Sequence, residues 1–191
     1  MPIHRDGRRV EVSQGYGPRD DGSMHSGVDL LYRRRAGEPT SGATAATVRK
    51  QDPARDGGWF MPGGVPALAP SAGVVTSSSE LFHPSGYSRG WGVRVDAGGG
   101  WAWFVNHIVI GTQRVRLGDS VAAGQELGEI GGSNDGHGLK HVHLALYRGG
   151  SSVDPEPYMR GWEHVQRGGG LGIVGGVALG IAGAWLLRRL G

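Results

Sequence analysis

Residues 91–110 read WGVRVDAGGGWAWFVNHIVI, and this stretch decides the fold class. From Gly92 to Ala97 apolar and polar residues alternate, with Val93 and Val95 on one face and Arg94 and Asp96 on the other. A repeat of two is that of a β-strand with one buried face. Gly98-Gly-Gly100 then predicts a turn, and Trp101–Ile110 a returning strand rich in aromatic and β-branched residues. Working outward, Val65–Ala69 predicts a strand, Pro70-Ser-Ala-Gly73 a turn and Val74–Ser77 another strand. Val121-Ala-Ala-Gly-Gln125 leads into an apolar run at Leu127–Ile130, and His141–Arg148 is the last strong strand. Alternation punctuated by glycine turns predicts an all-β chain built as a compact antiparallel β-sheet domain.

Composition supports this reading. The chain has 191 residues and 38 glycines, roughly three times the average usage of about 7%. No Gly-x-y period runs through it, which excludes collagen. The net charge of +3 and pI of 9.6 favour anionic surroundings. Nucleic acid is possible on charge alone, but no specific nucleic-acid partner is expected. With no cysteine, disulfides and thiolate metal sites are impossible, so any metal must be held by His and carboxylates. The opening MPIHRDGRRVEV lacks the apolar stretch of a secretory signal, so action outside the cytoplasm would require another means of delivery.

The chain divides into five segments. Residues 1–30 form a lead-in that ends at His25-Ser-Gly-Val-Asp29. Residues 31–64 are polar and basic, with Arg33, Arg34, Arg35, Arg49, Lys50 and Arg55, and hold neither strand nor helix period. They read as a loop insertion, either solvated or in contact with an anionic polymer. Residues 65–160 carry the strands, and 161–167 form a linker. From Gly168 to Leu187 there is no charge, over a length that spans a bilayer as a helix. Gly168, Gly172, Gly176, Gly180 and Ala184 make a ladder of small residues every fourth position, which lets helices approach closely. Arg188 and Arg189 close the run. The segment predicts a single C-terminal transmembrane-type helix or a homo-oligomeric helix bundle; the alternative is a glycine-rich disordered tail.

Two polar clusters stand out. His25 and Asp29 are an even number apart, so an extended segment carries both on one face, and Gly27 between them argues against a regular helix. In LKHVHLALYR, His141 and His143 point together while Val142 points away. Catalytic zinc sites commonly take three His or carboxylate ligands and leave a fourth position to water, whose pKa then falls towards neutrality. Taken alone, a His-x-His is more often a surface or satisfied pair than a metal site, and His-x-x-x-Asp says little.

The order of motifs says more. GYGPRDDGSMHSGVDL, VPALAPSAGVV, WGVRVDAGGGWAWFVNHI, GDSVAAGQELGEIGGSNDG and HVHLALYRGGSSVDPEPYM follow one another along residues 15–160, interrupted only by 31–64. In this order they resemble the lysostaphin-type zinc metallopeptidases. The resemblance implies zinc ligands at His25, Asp29 and His143, and auxiliary imidazoles at His107 and His141 that orient or deprotonate water and stabilise the oxyanion. His137 lies where the family often has a short Gly/Ser/Thr turn, and reads as a loop residue at the groove rim. His83 and His164 have no motif partners and read as surface residues, while the resemblance puts Tyr16 and Arg19 near the family's groove entrance, where they could touch substrate.

The function so implied is zinc-dependent hydrolysis of peptide bonds in bacterial peptidoglycan. With the membrane-seeking tail, it suggests a phage virion component at the tail tip or inside the particle, acting on the host envelope beside other virion proteins. A cellular, tail-anchored envelope hydrolase is the alternative. A third reading is a non-catalytic interaction protein on the same fold.

Overall fold

The computed structural model describes residues 10–33, 59–61, 63–131 and 140–159. In chain order the strands are β1 (Val10–Gln14), β2 (Gly17–Pro18), β3 (Met24–His25), β4 (Val28–Arg33), β5 (Trp59–Phe60), β6 (Pro66–Leu68) and β7 (Gly73–Phe82). There follow β8 (Ser88–Gly98), β9 (Trp101–Ile108), β10 (Ser120–Val121), β11 (Glu126–Glu129), β12 (Val142–Arg148) and β13 (Ser151–Val153). One short helix, α1 (Glu156–Met159), completes the described residues. The large sheet runs β1-β4-β12-β9-β8-β7-β10, with β13 beside β12 and β5 beside β4; β6 pairs β11 and β2 pairs β3. Every pairing is antiparallel.

The β8–β9 hairpin forms where the alternation places it. Val93 and Val95 are fully buried, Asp96 is exposed, and Gly98, Gly99 and Gly100 all take left-handed φ values, which explains three glycines in a row. Val28, Leu30, Val105, Leu144 and Leu146 face the core with them. The β6–β11 pair covers this face with Ala67 and Leu127, and an isolated bridge from Ile108 to Ile130 ties the two sheets. Each fully buried Leu, Ile or Val contributes about 1.5–3 kcal/mol, so this one face holds most of the domain's cohesion.

The structure moves two expected boundaries. Leu31–Arg33, read as the start of the insertion, prolongs β4, and Leu31 and Tyr32 are fully buried. Trp59–Phe60 returns to pair with the same strand, and Met61 enters the core. An apolar strand buried on both faces shows no alternation, which is why periodicity missed it. The second aromatic strand stops at Ile108 instead of Ile110, for a reason that also shapes the site. Residues 34–58 of the insertion, His137, His164 and the C-terminal segment 168–191 lie outside the described residues. Among the described residues no helix is long and apolar enough to cross a membrane.

Candidate active site

The open face of the large sheet carries the polar clusters. His143 pairs with Asp29 on one side and Asn106 on the other, and directly opposed residues of antiparallel strands share a face. His25 arrives from β3 across a crossing that only glycine permits. A Cβ on Gly27 would sit 2.4 Å from the Leu144 carbonyl oxygen and 3.0 Å from His143 Nε2.

Three atoms converge. His25 Nε2 lies 3.1 Å from Asp29 Oδ1 and 3.1 Å from His143 Nδ1, and His143 Nδ1 lies 3.0 Å from Asp29 Oδ1. The Nδ1–H of His25 donates to the Gly15 carbonyl at 2.7 Å, which leaves the Nε2 lone pair facing the cluster. Three electron-pair donors so close need shared protons or a cation between them. Ligands of a tetrahedral zinc at about 2.0–2.1 Å are about 3.3 Å apart, close to the edges of this triangle. Residues His25, Asp29 and His143 therefore fit a metal ion.

A β-bulge holds Asp29 from the other side. Val12 pairs with Leu30 and Gln14 with Asp29, so Ser13 is the extra residue of β1. Ser13 Oγ donates to the Asp29 carbonyl. The Gln14 amide, oriented to satisfy both partners, donates to Asp29 Oδ2 at 3.2 Å and accepts from Arg19 Nε at 3.0 Å. Arg19 is thus tied behind the carboxylate, while the Tyr16 hydroxyl donates to the Ser152 carbonyl.

A second bulge aims His107. Period-two counting from Trp103 and Val105 would send His107 into the core. Trp91 pairs with Ile108 but Val93 with Val105, so β9 carries one extra residue. His107 has φ 65°, the sole non-glycine residue in the left-handed region among those described. The Asn106 side-chain oxygen accepts the His107 amide at 2.6 Å. The bulge turns the imidazole to the open face, where it meets His141 edge-on at 4.5 Å between centroids, with His143 at 6.2 Å. His107 Nδ1 donates to the Arg89 carbonyl at 2.7 Å, which leaves Nε2 as an acceptor. His141 Nε2 stands 3.4 Å from Asp29 Oδ1, farther than the three converging atoms are from one another.

Burial raises the Asp29 carboxyl, but hydrogen bonds from His141, His143 and His25 outweigh it and hold the group well below its ordinary range. Burial and then the neighbouring His141 push His107 down to about 3, against the Arg89 carbonyl, which raises it. Burial also lowers His143, partly offset by Asp29. His107 is therefore neutral near pH 7, with its Nε2 lone pair unprotonated.

All five expected residues come together, and His83 does not; it stacks on Tyr87 in the β7–β8 turn. Gln14 and Asn106 had no signal in the sequence, because both act through bulges.

The backbone resembles several solved structures. The catalytic domain of the prophage-encoded M23 protein EnpA from Enterococcus faecalis, in a mutant form, matches at a TM-score of 0.54 and 22% identity, over 83% of this chain and 96% of that one. A chain of the SpoIIIAH–SpoIIQ complex matches at 0.56 and 18%, over 83% and 98%. The catalytic domain of lysostaphin from Staphylococcus simulans matches at 0.50 and 22%, over 81% and 93%. At these identities the likeness speaks for the fold. The model of peptidase family M23 matches residues 58–155. That span carries His107, His141 and His143; His25 and Asp29 precede it, and the sheet brings them to the same point. With half its length matched and its fold that of lysostaphin-type peptidases, the chain belongs to peptidase family M23.

Proposed function

We propose that this chain is a zinc-dependent endopeptidase that hydrolyses peptide bonds of bacterial peptidoglycan, with zinc held by His25 Nε2, Asp29 Oδ1 and His143 Nδ1. The observation that carries the reading is the triangle of donor atoms with 3.0–3.1 Å edges. Bound zinc supplies Lewis acidity, which polarises a carbonyl and lowers the pKa of water. The chain's own residues do the rest. Gly15 fixes the His25 tautomer, and Gln14 occupies the second Asp29 oxygen so that Oδ1 stays directed at the metal. His107, neutral and with Nε2 unprotonated, accepts a proton from the attacking water. His141, between His107 and Asp29, donates to the oxygen that gains charge as the carbonyl is attacked.

Metal analysis of the purified full chain, together with digestion of purified sacculi, tests this. One zinc per chain and release of peptide are expected, and both should vanish in His25→Ala and in His143→Ala. Stoichiometric zinc in both variants would refute the ligand set. A chain that binds zinc yet leaves sacculi intact would be an interaction protein on this fold.

The setting is proposed from sequence alone. The uncharged run 168–187 suits a membrane or a helix bundle, in a phage virion or at a bacterial membrane. Flotation of the full chain with liposomes, lost when 168–191 is removed, is the expected result.

A further inference from the structure

The open face continues beyond the histidines, and one cation lies on it without an anion. Arg94 pairs in register with Phe104, and Phe104 with Ala145. Directly opposed residues share a face, and so do alternate residues of one strand. Arg94, Phe104, Ala145 and Tyr147 therefore stand on the face that carries His143, while Val93, Val95 and Leu144 point into the core. The Arg94 guanidinium lies over the Tyr147 ring, 4.4 Å from its centroid. Among the described residues this is its only partner; no carboxylate pairs with it. The side chain is half-buried, so part of its hydration is already gone.

The surface between this cation and the histidines is apolar. Ala145 is fully covered by its neighbours, and the half-buried Phe104 ring lies where a Gly92 side chain would be, 2.6 Å from the position of its Cβ, beside the Leu81 side chain. Tyr147 is four residues from His143 along one strand, about 13 Å at the rise of a β-strand. A peptide laid extended along that floor covers the distance in about four residues.

We propose that Arg94, braced on Tyr147, is a specificity-determining residue that receives a free carboxylate of the substrate peptide, about four residues from the bond that is cut. A stacked guanidinium keeps its N–H fork planar and pre-oriented, which suits two-point recognition of a carboxylate. The proposal rests on the peptidase reading, because it treats this face as the substrate groove.

The test uses the full chain and peptidoglycan stem peptides prepared with their carboxylates free or converted to amides. Binding is measured calorimetrically on metal-free protein, and turnover separately on zinc-loaded protein. We expect the free-carboxylate peptides to bind on the order of 10- to 100-fold more tightly than the amides, the scale of a hydrogen bond to a charged group. Arg94→Gln should abolish that preference and leave amide binding unchanged, while Arg94→Lys keeps part of it. Equal binding of both forms by the native protein, or an Arg94→Gln loss that falls equally on both, would overturn the subsite. Preferential binding without turnover by the zinc-loaded protein would instead keep the subsite and sink the peptidase reading.

Discussion

Replacing Gly27 with alanine tests the site through its backbone. In the native fold the new Cβ would lie 2.4 Å from the Leu144 carbonyl oxygen and 2.9 Å from its carbon. Both are main-chain atoms of a strand paired on each side, so neither swings away as a side-chain tip would. Relief requires the β3–β4 connection to move by about 0.6 Å or more, since Cβ contacts below 3.0 Å are essentially unknown. Metal sites tolerate about 0.2 Å in ligand distance, so such a shift opens the His25–Asp29–His143 triangle. The same Cβ would press on His143 Nε2 at 3.0 Å. We expect a stability loss of about 1–3 kcal/mol, the scale of overpacking. That corresponds to a fall in Tm of roughly 2–12 °C. Zinc affinity should drop at least about tenfold, as when supporting contacts are removed from a metal site. Thermal unfolding of the metal-free protein and competitive zinc titration against a chromophoric chelator measure both. The sign is decisive, because the φ of Gly27 is not left-handed and an unhindered glycine-to-alanine change there would stabilise by about 0.4–1 kcal/mol. Unchanged or raised Tm with native zinc affinity would refute the close approach and the argument built on it.

Three other outcomes follow from the same geometry. His107→Ala and His141→Ala should retain stoichiometric zinc yet lose about 10²- to 10⁴-fold in turnover of sacculi; near-native hydrolysis by either variant would show its role to be misassigned. The folded-state pKa of His107 is depressed from 6.5 to about 3, so between those values the unfolded chain holds a proton that the folded chain does not. Stability is then complete above about pH 6.5 and falls with acid at up to ~1.4 kcal/mol per pH unit, with His143 acting in the same direction. Urea unfolding of the metal-free protein from pH 6.5 to 4.5 reads this slope, which should flatten in His107→Gln. Asn106→Ala removes the acceptor of the buried His107 amide and should cost about 1–3 kcal/mol. It should also lower kcat more than it raises KM, because the ring loses its aim; a loss confined to KM would argue against a positioning role.

Much of the fold is legible in the residues alone. Alternation over Gly92–Ala97 and the three glycines after it specify a hairpin, because a strand with one wet face must repeat every two residues. The five candidate site residues, which the structure brings together, are also legible as members of motifs in a recognisable order. Composition cannot place His25 beside His143 across 118 positions of chain; only the pairing of β4 with β12 does so. Periodicity failed at Leu31 and Tyr32, which point to opposite faces of β4 and are both fully buried. It would have sent His107 into the core, because a bulge adds one residue that no local pattern announces. The same holds for Ser13, whose bulge brings Gln14 to Asp29. The order of amino acids alone thus settles which residue types are available and the strand period that carries them. Which ring nitrogen faces the cluster, which side chain holds the carboxylate and where Arg94 lies were settled only by the folded chain, because those depend on register and bulges between strands distant along the sequence.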